Sequence, residues 1–187
     1  MAAISQASGG RDSFGPHYRG WLLTLVLLTA AFGYIDRVIV QTLAQPIKED
    51  LGLSDFQLGM LSGLGFAILY STLGLPIARL AERRSRVTII SVSVALFSGF
   101  TVLCGMAGNF VQLFLCRIGV GIGEAGVQSP SVSLLADHFP AEKRGRAMTI
   151  MKLGSPVGSF CGALAAGYIA QEYGWRTAIM VVAGPGI

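Results

Sequence analysis

Five stretches of about 20 or more mostly apolar residues follow one another along this chain, and a sixth begins near its end. An α-helix advances about 1.5 Å per residue, so a run of about 20 apolar residues is long enough to cross the hydrocarbon core of a bilayer. Only 13% of the residues are charged, against about 25% in an ordinary soluble domain. The sequence therefore predicts an all-α membrane protein with five complete transmembrane helices and an incomplete sixth, over residues 21–43, 56–80, 87–107, 110–136, 147–170 and 175–187.

Lysine and arginine fall on alternate connections between these runs. Residues 1–20, the loop RLAERRSR and the loop DHFPAEKRGR together carry nine basic residues, whereas the other connections carry two. Positively charged residues are retained on the cytoplasmic side of a membrane. We therefore expect a disordered cytoplasmic tail over residues 1–20 and a transmembrane bundle in the lipid bilayer over residues 21–187. The net charge of +4 then reflects topology, and no aromatic-basic stripe points to a nucleic-acid partner.

Two predicted spans carry charged residues deep in the membrane. At 1.5 Å per residue, Asp36 and Arg117 each lie about 10 Å from the external end of their span, and Glu124 lies about 21 Å from that side. An isolated charge near the bilayer centre costs at least about 2.5 kcal/mol, so such groups face a partner or a water-filled cavity. We expect Asp36, Arg37 and Arg117 to form a compensated cluster in the outer half of the membrane.

A polar stripe on the fourth predicted span indicates a cavity. Glu124 follows Arg117 by about two helical turns, and Gly121 and Gln128 lie on the same face. Burial disfavours the charged form of a carboxyl group, whereas a nearby cation favours it. Glu124 and Asp36 are therefore the candidates for binding and releasing a coupling proton.

The same stretches supply candidates for contacting a substrate. The alternative to proton coupling by Glu124 and Asp36 is a structural role, in which a permanent Glu124–Arg117 or Asp36–Arg117 ion pair only sets the helix register. The candidate substrate-binding residues are Tyr34, Arg37, Arg117 and Gln128.

The two basic loops allow a gating interpretation. Basic residues alone are explained by their retention on the cytoplasmic side. Charge-assisted contacts between these loops and the ends of neighbouring helices would instead form a latch that holds one gate shut. The candidate latch residues are Glu82, Arg83, Arg86 and Arg144.

Catalytic machinery is not evident in the sequence. His17 and His138 lie in the predicted tail and in a loop, with no nucleophile or metal-ligand cluster around them. The three cysteines lie inside apolar runs, where they are expected to act as small buried hydrophobes. No phosphate-cradling glycine loop is present. The sequence therefore predicts no enzyme activity, no cofactor and no metal site.

Four segments carry a family resemblance. The most specific is RIGVGIGEAGVQSPSVSLLADHFPAEKRGRAM, with its Arg, its Gly-Glu-Ala and the following Pro. The others are GYIDRVIVQTLAQPIKEDLGLSDFQLGML, with its Asp-Arg pair, ARLAERRSRV, and GSPVGSFCGALAAGYIAQEYGWR. Through them the chain, from about Tyr18 to Ile187, resembles the N-terminal half of a major facilitator superfamily transporter of the spinster-like family. It departs from the loop signature at Ala78 and Ser85, where glycines are common, and at Glu82, where aspartate is usual.

The resemblance implies a fold of about twelve spans in two halves of about six, with substrate and ion sites between the halves. This chain would supply the N-terminal six-helix bundle. We expect it to be a fragment that is truncated in its sixth span and that needs the missing C-terminal half as a partner.

The resemblance favours a proton-coupled secondary active transporter that moves an organic anion or an amphipathic, lipid-like solute by alternating access. It implies that Arg37 and Arg117 meet the anionic group, and that Glu124 and Asp36 take up and release protons. The expected location is the plasma membrane, in a bacterium the inner membrane, with a cytoplasmic N-terminus. Two alternatives stay open: a non-transporting membrane scaffold or sensor, in which the buried charges only hold helices together, and a non-functional fragment.

Overall fold

The structure, a computed structural model, describes residues 16–64, 72 and 85–183. All regular secondary structure in these ranges is helical, which confirms the all-α class. Most of the predicted span 56–80, the predicted latch residues Glu82 and Arg83, and most of the predicted tail lie outside the described residues. The helices are α1 (Pro16–Thr42), α2 (Ala44–Leu51), α3 (Asp55–Gly59) with a π-helical turn after it (Met60–Leu64), α4 (Arg86–Gly105), α5 (Phe110–His138) and α6 (Ala141–Ala183).

Local signals account for the ends of several helices. Ser54 begins α3 with a capping box, in which its hydroxyl accepts from the Gln57 N–H and the Gln57 side chain accepts from the Ser54 N–H. Asn109 caps α5 through the N–H of Gln112. Gly174 interrupts α6 with φ 81° and ψ 163°, a conformation that a residue with a Cβ rarely adopts. The interruption at Gly174 lies next to the predicted start of the sixth span.

Four of the described helices are long and apolar enough to cross a membrane: the helical stretches His17–Thr42, Arg86–Gly105, Phe110–His138 and Ala141–Val182. Their apolar side chains are not confined to the interior. Phe160 is 67% exposed and Tyr168 is 70% exposed. Such large apolar surfaces are unfavourable in water and suit a lipid environment. The chain is an integral membrane protein.

Small residues let the helices approach closely. On α6, a Cβ added at Gly154 would lie 2.9 Å from the main-chain oxygen of Leu27 on α1, and one added at Gly158 would collide with the Ala31 carbonyl. On α5, a Cβ added at Gly123 would lie 2.7 Å from the Phe97 nitrogen on α4. Without a hydrophobic driving force between helices in lipid, this close packing stabilises the bundle.

An ion-pair cluster joins three elements at the end of the bundle away from the start of α1. Asp50 of α2 accepts hydrogen bonds from Arg176 Nη1 at 2.5 Å and from Trp175 Nε1 at 3.3 Å. Arg176 also donates to the carbonyl of Ala107, just after α4, at 3.3 Å. The segment after α1, predicted as a loop, is mostly helical, as α2. Through Asp50 and Arg176 this helix is tied to α6 and to the residue just after α4.

Candidate functional site

Asp36 of α1 and Arg117 of α5 form a buried ion pair. Arg117 Nη1 lies 2.8 Å from Asp36 Oδ2, and the two side chains are 6% and 5% exposed. The second carboxylate oxygen, Oδ1, lies 2.5 Å from the hydroxyl of Thr101 on α4. This is the Asp36–Arg117 ion pair that the sequence left open as an alternative. The contact agrees with the helical rise, which places both residues at the same depth in the membrane.

Glu124 of α5 pairs with Arg37 of α1. Arg37 Nε donates to Glu124 Oε2 at 2.7 Å, and the Glu124 side chain is 4% exposed while the Arg37 side chain is 33% exposed. The other carboxylate oxygen, Oε1, has no hydrogen-bond partner among the described residues. The Arg37 guanidinium also lies 5.5 Å from the ring centroid of Tyr34, within the range of a cation–π contact. The alternative Glu124–Arg117 pair does not form.

A small cavity opens beside this second pair. Its described lining includes Tyr34, Arg37, Glu124 and Gln128 together with Thr29 and Phe97. The cavity volume, measured as the space available to the centre of a water-sized sphere, is about 20 Å³. A single water needs roughly 10 to 15 Å³ by that measure. The cavity therefore has room for about one water molecule beside the Glu124 side chain.

Of the residues predicted to share one face of the fourth span, Glu124 and Gln128 line this cavity, whereas Arg117 and Gly121 are not part of its described lining. On α1, Arg37 lines the cavity and Asp36 does not. Successive residues on a helix point about 100° apart, so Asp36 faces Arg117 and Thr101 while Arg37 faces the cavity. Arg117 is buried, and its guanidinium is directed to Asp36.

A larger apolar cavity lies next to the first and shares Thr29 with it. Its volume by the same measure is about 390 Å³, and it lies between α1, α4 and α5. Aliphatic side chains form most of its described lining, which includes Leu22, Val26, Val87, Ile90, Val94 and Leu134.

Two of the four predicted latch residues lie within the described part of the chain. Arg86, at the start of α4, forms an ion pair with Asp137 near the end of α5. Arg144, in the first turns of α6, donates from Nε to the carbonyl of Phe139 at 3.0 Å. Both contacts join a basic residue to the end of α5, as a latch requires. Whether they open and close remains a prediction.

Thr101 is the site residue that the sequence did not reveal. It lies inside an apolar run, where a threonine is compatible with ordinary helix packing. Its sequence signal is weak, since Ser98 lies one turn earlier in a run that also carries Thr88, Ser91 and Ser93. Within the described ranges, no group of three or more His, Cys, Asp or Glu side chains is arranged to hold a metal ion.

Comparison with known proteins identifies the family of this chain. Residues 21–187 match the family model of the Major Facilitator Superfamily. The chain is 36% identical over 172 residues to an MFS-type efflux pump of Mycolicibacterium smegmatis, covering 91% of this chain and 40% of the relative. It is 30% identical over 165 residues to a probable L-galactonate transporter of Escherichia coli, covering 88% of this chain and 36% of the relative.

A solved structure agrees with these relatives. The crystal structure of a bacterial homologue of the human lysosomal transporter Spinster, inward-facing and unoccupied, superposes with a TM-score of 0.82 and 34% identity. The match covers 93% of this chain and 42% of that one, so the chain spans about two fifths of the length of its relatives. The resemblance to spinster-like proteins is confirmed, and the chain belongs to the major facilitator superfamily.

Proposed function

We propose that this chain is the N-terminal bundle of a proton-coupled secondary active transporter that moves an organic anion by alternating access. The activity belongs to the whole transporter, and the second wall of the substrate path comes from a C-terminal half. The relatives support the transporter class, since they bear the names of an efflux pump and a sugar-acid transporter.

The observation that carries the proposal is the position of Glu124. A carboxylate buried in a membrane bundle is costly and marks an ion or proton pathway unless it is permanently compensated. Glu124 is only partly compensated, because Arg37 engages Oε2 and no described residue engages Oε1. It also lines a cavity with room for water. It can therefore exchange a proton with a compartment while remaining inside the bundle.

The pairing suggests how proton and substrate are linked. When Glu124 is ionised, it holds Arg37 by charge and hydrogen bond. When Glu124 takes up a proton, that attraction weakens and the Arg37 guanidinium becomes available to an anionic substrate in the cavity. Arg37, a third exposed, fits this role better than Arg117, which is directed to Asp36. In this scheme Tyr34 and Gln128 orient the substrate, and Asp36 with Arg117 forms a second protonatable unit.

Two substrate classes fit the two cavities. A carboxylate such as a sugar acid would meet the partly exposed Arg37 side chain at the edge of the polar cavity, since a guanidinium binds a carboxylate in a bidentate manner. An amphipathic lipid-like anion would in addition place its apolar part in the adjoining aliphatic cavity. The relatives favour neither alone. We place the protein in the plasma membrane, in a bacterium the inner membrane, with its N-terminus in the cytoplasm, as the distribution of basic residues favours.

The test is uptake into proteoliposomes that contain the product of the full reading frame. L-galactonate and a lysophospholipid serve as probes, with and without an imposed pH gradient. We expect the gradient to accelerate uptake of one probe in the wild type and to have no effect in Glu124→Gln. Equal acceleration in both proteins would refute the role of Glu124 in coupling.

A scaffold without transport is the second candidate, because both buried pairs are formed and would hold α1 against α5. It differs from the transporter in one outcome. A protein that only needs its helices held together keeps its function when Asp36 and Arg117 are replaced together by neutral residues, because no orphan charge remains. A transporter that uses Asp36 as a proton carrier loses coupled uptake in the same variant.

A further inference from the structure

The hydroxyl of Thr101 lies between two oxygen atoms. It is 2.5 Å from Asp36 Oδ1 and 2.8 Å from the carbonyl oxygen of Phe97, one turn earlier on α4. Thr101 is 3% exposed and Asp36 is 4% exposed. Both distances are within the normal range for an O–H···O hydrogen bond.

The number of available protons limits how these contacts can be satisfied. A threonine hydroxyl has one proton to donate, a carbonyl only accepts, and an ionised carboxylate only accepts. If Asp36 is ionised, the single Thr101 proton serves Oδ1 or the Phe97 carbonyl, or is shared between them, so the two contacts cannot both be full hydrogen bonds. If Oδ1 carries a proton, it donates to Thr101, Thr101 donates to Phe97, and both contacts become hydrogen bonds.

The two carboxylate oxygens of Asp36 have different partners. Arg117 of α5 engages Oδ2 and supports the carboxylate charge, while Thr101 of α4 engages Oδ1. Three other titratable or charged groups act on this cluster: Arg37 next to Asp36 on α1, Glu124 on α5 and Cys104 on α4. On the side of α6, Gly162 packs against Ile35 and brings no charge.

We infer that Thr101 is a positioning residue for the Asp36 proton, whose hydroxyl turns between Oδ1 and the Phe97 carbonyl as Asp36 loses and gains that proton. The protonated carboxyl group is then held in one orientation inside the bundle, with its proton on the oxygen that faces away from Arg117. This inference rests on the proposed function, in which Asp36 changes its protonation state. It adds a residue of α4 to a cluster otherwise drawn from α1 and α5.

Infrared difference spectra, recorded as the pH of the reconstituted full-length protein is changed, test this directly. The carboxyl C=O band of Asp36 is identified as the band missing from Asp36→Asn. We expect Thr101→Val, which keeps the side-chain shape and removes the hydroxyl, to shift or broaden this band, and Thr101→Ser, which keeps the hydroxyl, to restore it. Thr149→Val is the matched control, because Thr149 bonds the carbonyl one turn earlier in the same way, on an exposed surface of α6.

Uptake measurements give a second reading of the same variants. The lost hydrogen bond predicts about a tenfold or larger loss of pH-gradient-driven L-galactonate or lysophospholipid uptake in Thr101→Val. Thr101→Ser and Thr149→Val are expected to stay close to the wild type. If Thr101→Val does not fold, Thr101→Ala replaces it under the same criteria.

The possible outcomes distinguish a failure of the Thr101 role from a failure of proton coupling at Asp36. A titrating Asp36 band that is unchanged in Thr101→Val overturns the role of Thr101 and leaves proton coupling intact. The absence of any titrating Asp36 band removes protonation of Asp36 from the proposed function and the Thr101 role with it. A band altered in Thr101→Val and restored in Thr101→Ser supports both.

Discussion

Replacing Asp36 or Arg117 alone should destabilise the protein far more than replacing both. The pair is bonded at 2.8 Å and both side chains are about 95% buried, being 5% and 6% exposed. Removing one partner of such a pair leaves an uncompensated buried charge, which costs about 3 to 5 kcal/mol. Removing both leaves no charge to compensate, so Asp36→Asn/Arg117→Met should cost less than either single change.

The two single variants should differ from each other. Arginine cannot lose its proton in a protein, so Asp36→Asn leaves a permanent buried cation that has lost its carboxylate partner. We place this variant near the upper limit of about 5 kcal/mol. Arg117→Met leaves a carboxylate that keeps its contact with Thr101 and can be neutralised by a proton. This variant should lie near the lower limit of about 3 kcal/mol.

The assay is the unfolding midpoint of the purified full-length protein in detergent. For a chain of about 150 to 250 residues, 1 kcal/mol corresponds to roughly 2 to 4 °C, and the shift is smaller for a longer chain, so the single variants of the full-length protein should lose on the order of 5 °C. The control is Asp55→Asn, which removes the contact with Lys48 at a site where the Asp55 side chain is 88% exposed, and which should cost under about 1 kcal/mol. The reasoning fails if Asp36→Asn and Arg117→Met are as mild as this control.

Two further predictions concern packing and gating. Gly158→Val should lower the unfolding free energy by about 1 to 3 kcal/mol through overpacking, because a Cβ at this position collides with α1. The control is Gly167→Val, which should change the unfolding free energy far less because a Cβ there meets nothing within 4 Å. Equal losses in the two variants would contradict the close α1–α6 contact. Asp137→Asn and Arg86→Gln should each change the unfolding free energy by under about 1 kcal/mol, since the pair is partly exposed. They should nevertheless change the rate of coupled uptake in the same direction, with no further change in the double variant; additive effects on that rate would show that the two residues do not act through one contact.

The apolar runs and the helical rise were sufficient to predict the helical class and the shared level of Asp36 and Arg117. Both depend on properties of a single helix, namely its length and its advance per residue. The glycines of α5 and α6 likewise indicated close packing, because small residues are what tight contacts in lipid require. The partner helix of each glycine row could not be predicted, since spacing along one helix carries no information on which neighbour it meets.

The division of the charges into two pairs was beyond the sequence for the same reason. A helical wheel places Arg117 and Glu124 on one face, about two turns apart, and thus predicts a common environment. The structure separates them because α1 presents two adjacent residues, Asp36 and Arg37, in different directions. The rotation of α1 about its own axis is set by its packing on α6 through Gly154 and Gly158. Thr101 was missed because its role depends on a carboxylate from another helix.

The central claim is that Glu124 exchanges a proton with water inside the bundle. Its most direct test is the infrared carboxyl band that appears as the pH of the reconstituted protein is lowered and that is missing from Glu124→Gln. We predict that this band is present in the wild type and shifts promptly when H₂O is replaced by D₂O, because the cavity beside Glu124 has room for water. A Glu124 carboxyl that gives no titrating band, or a band that does not respond to D₂O, would contradict the account.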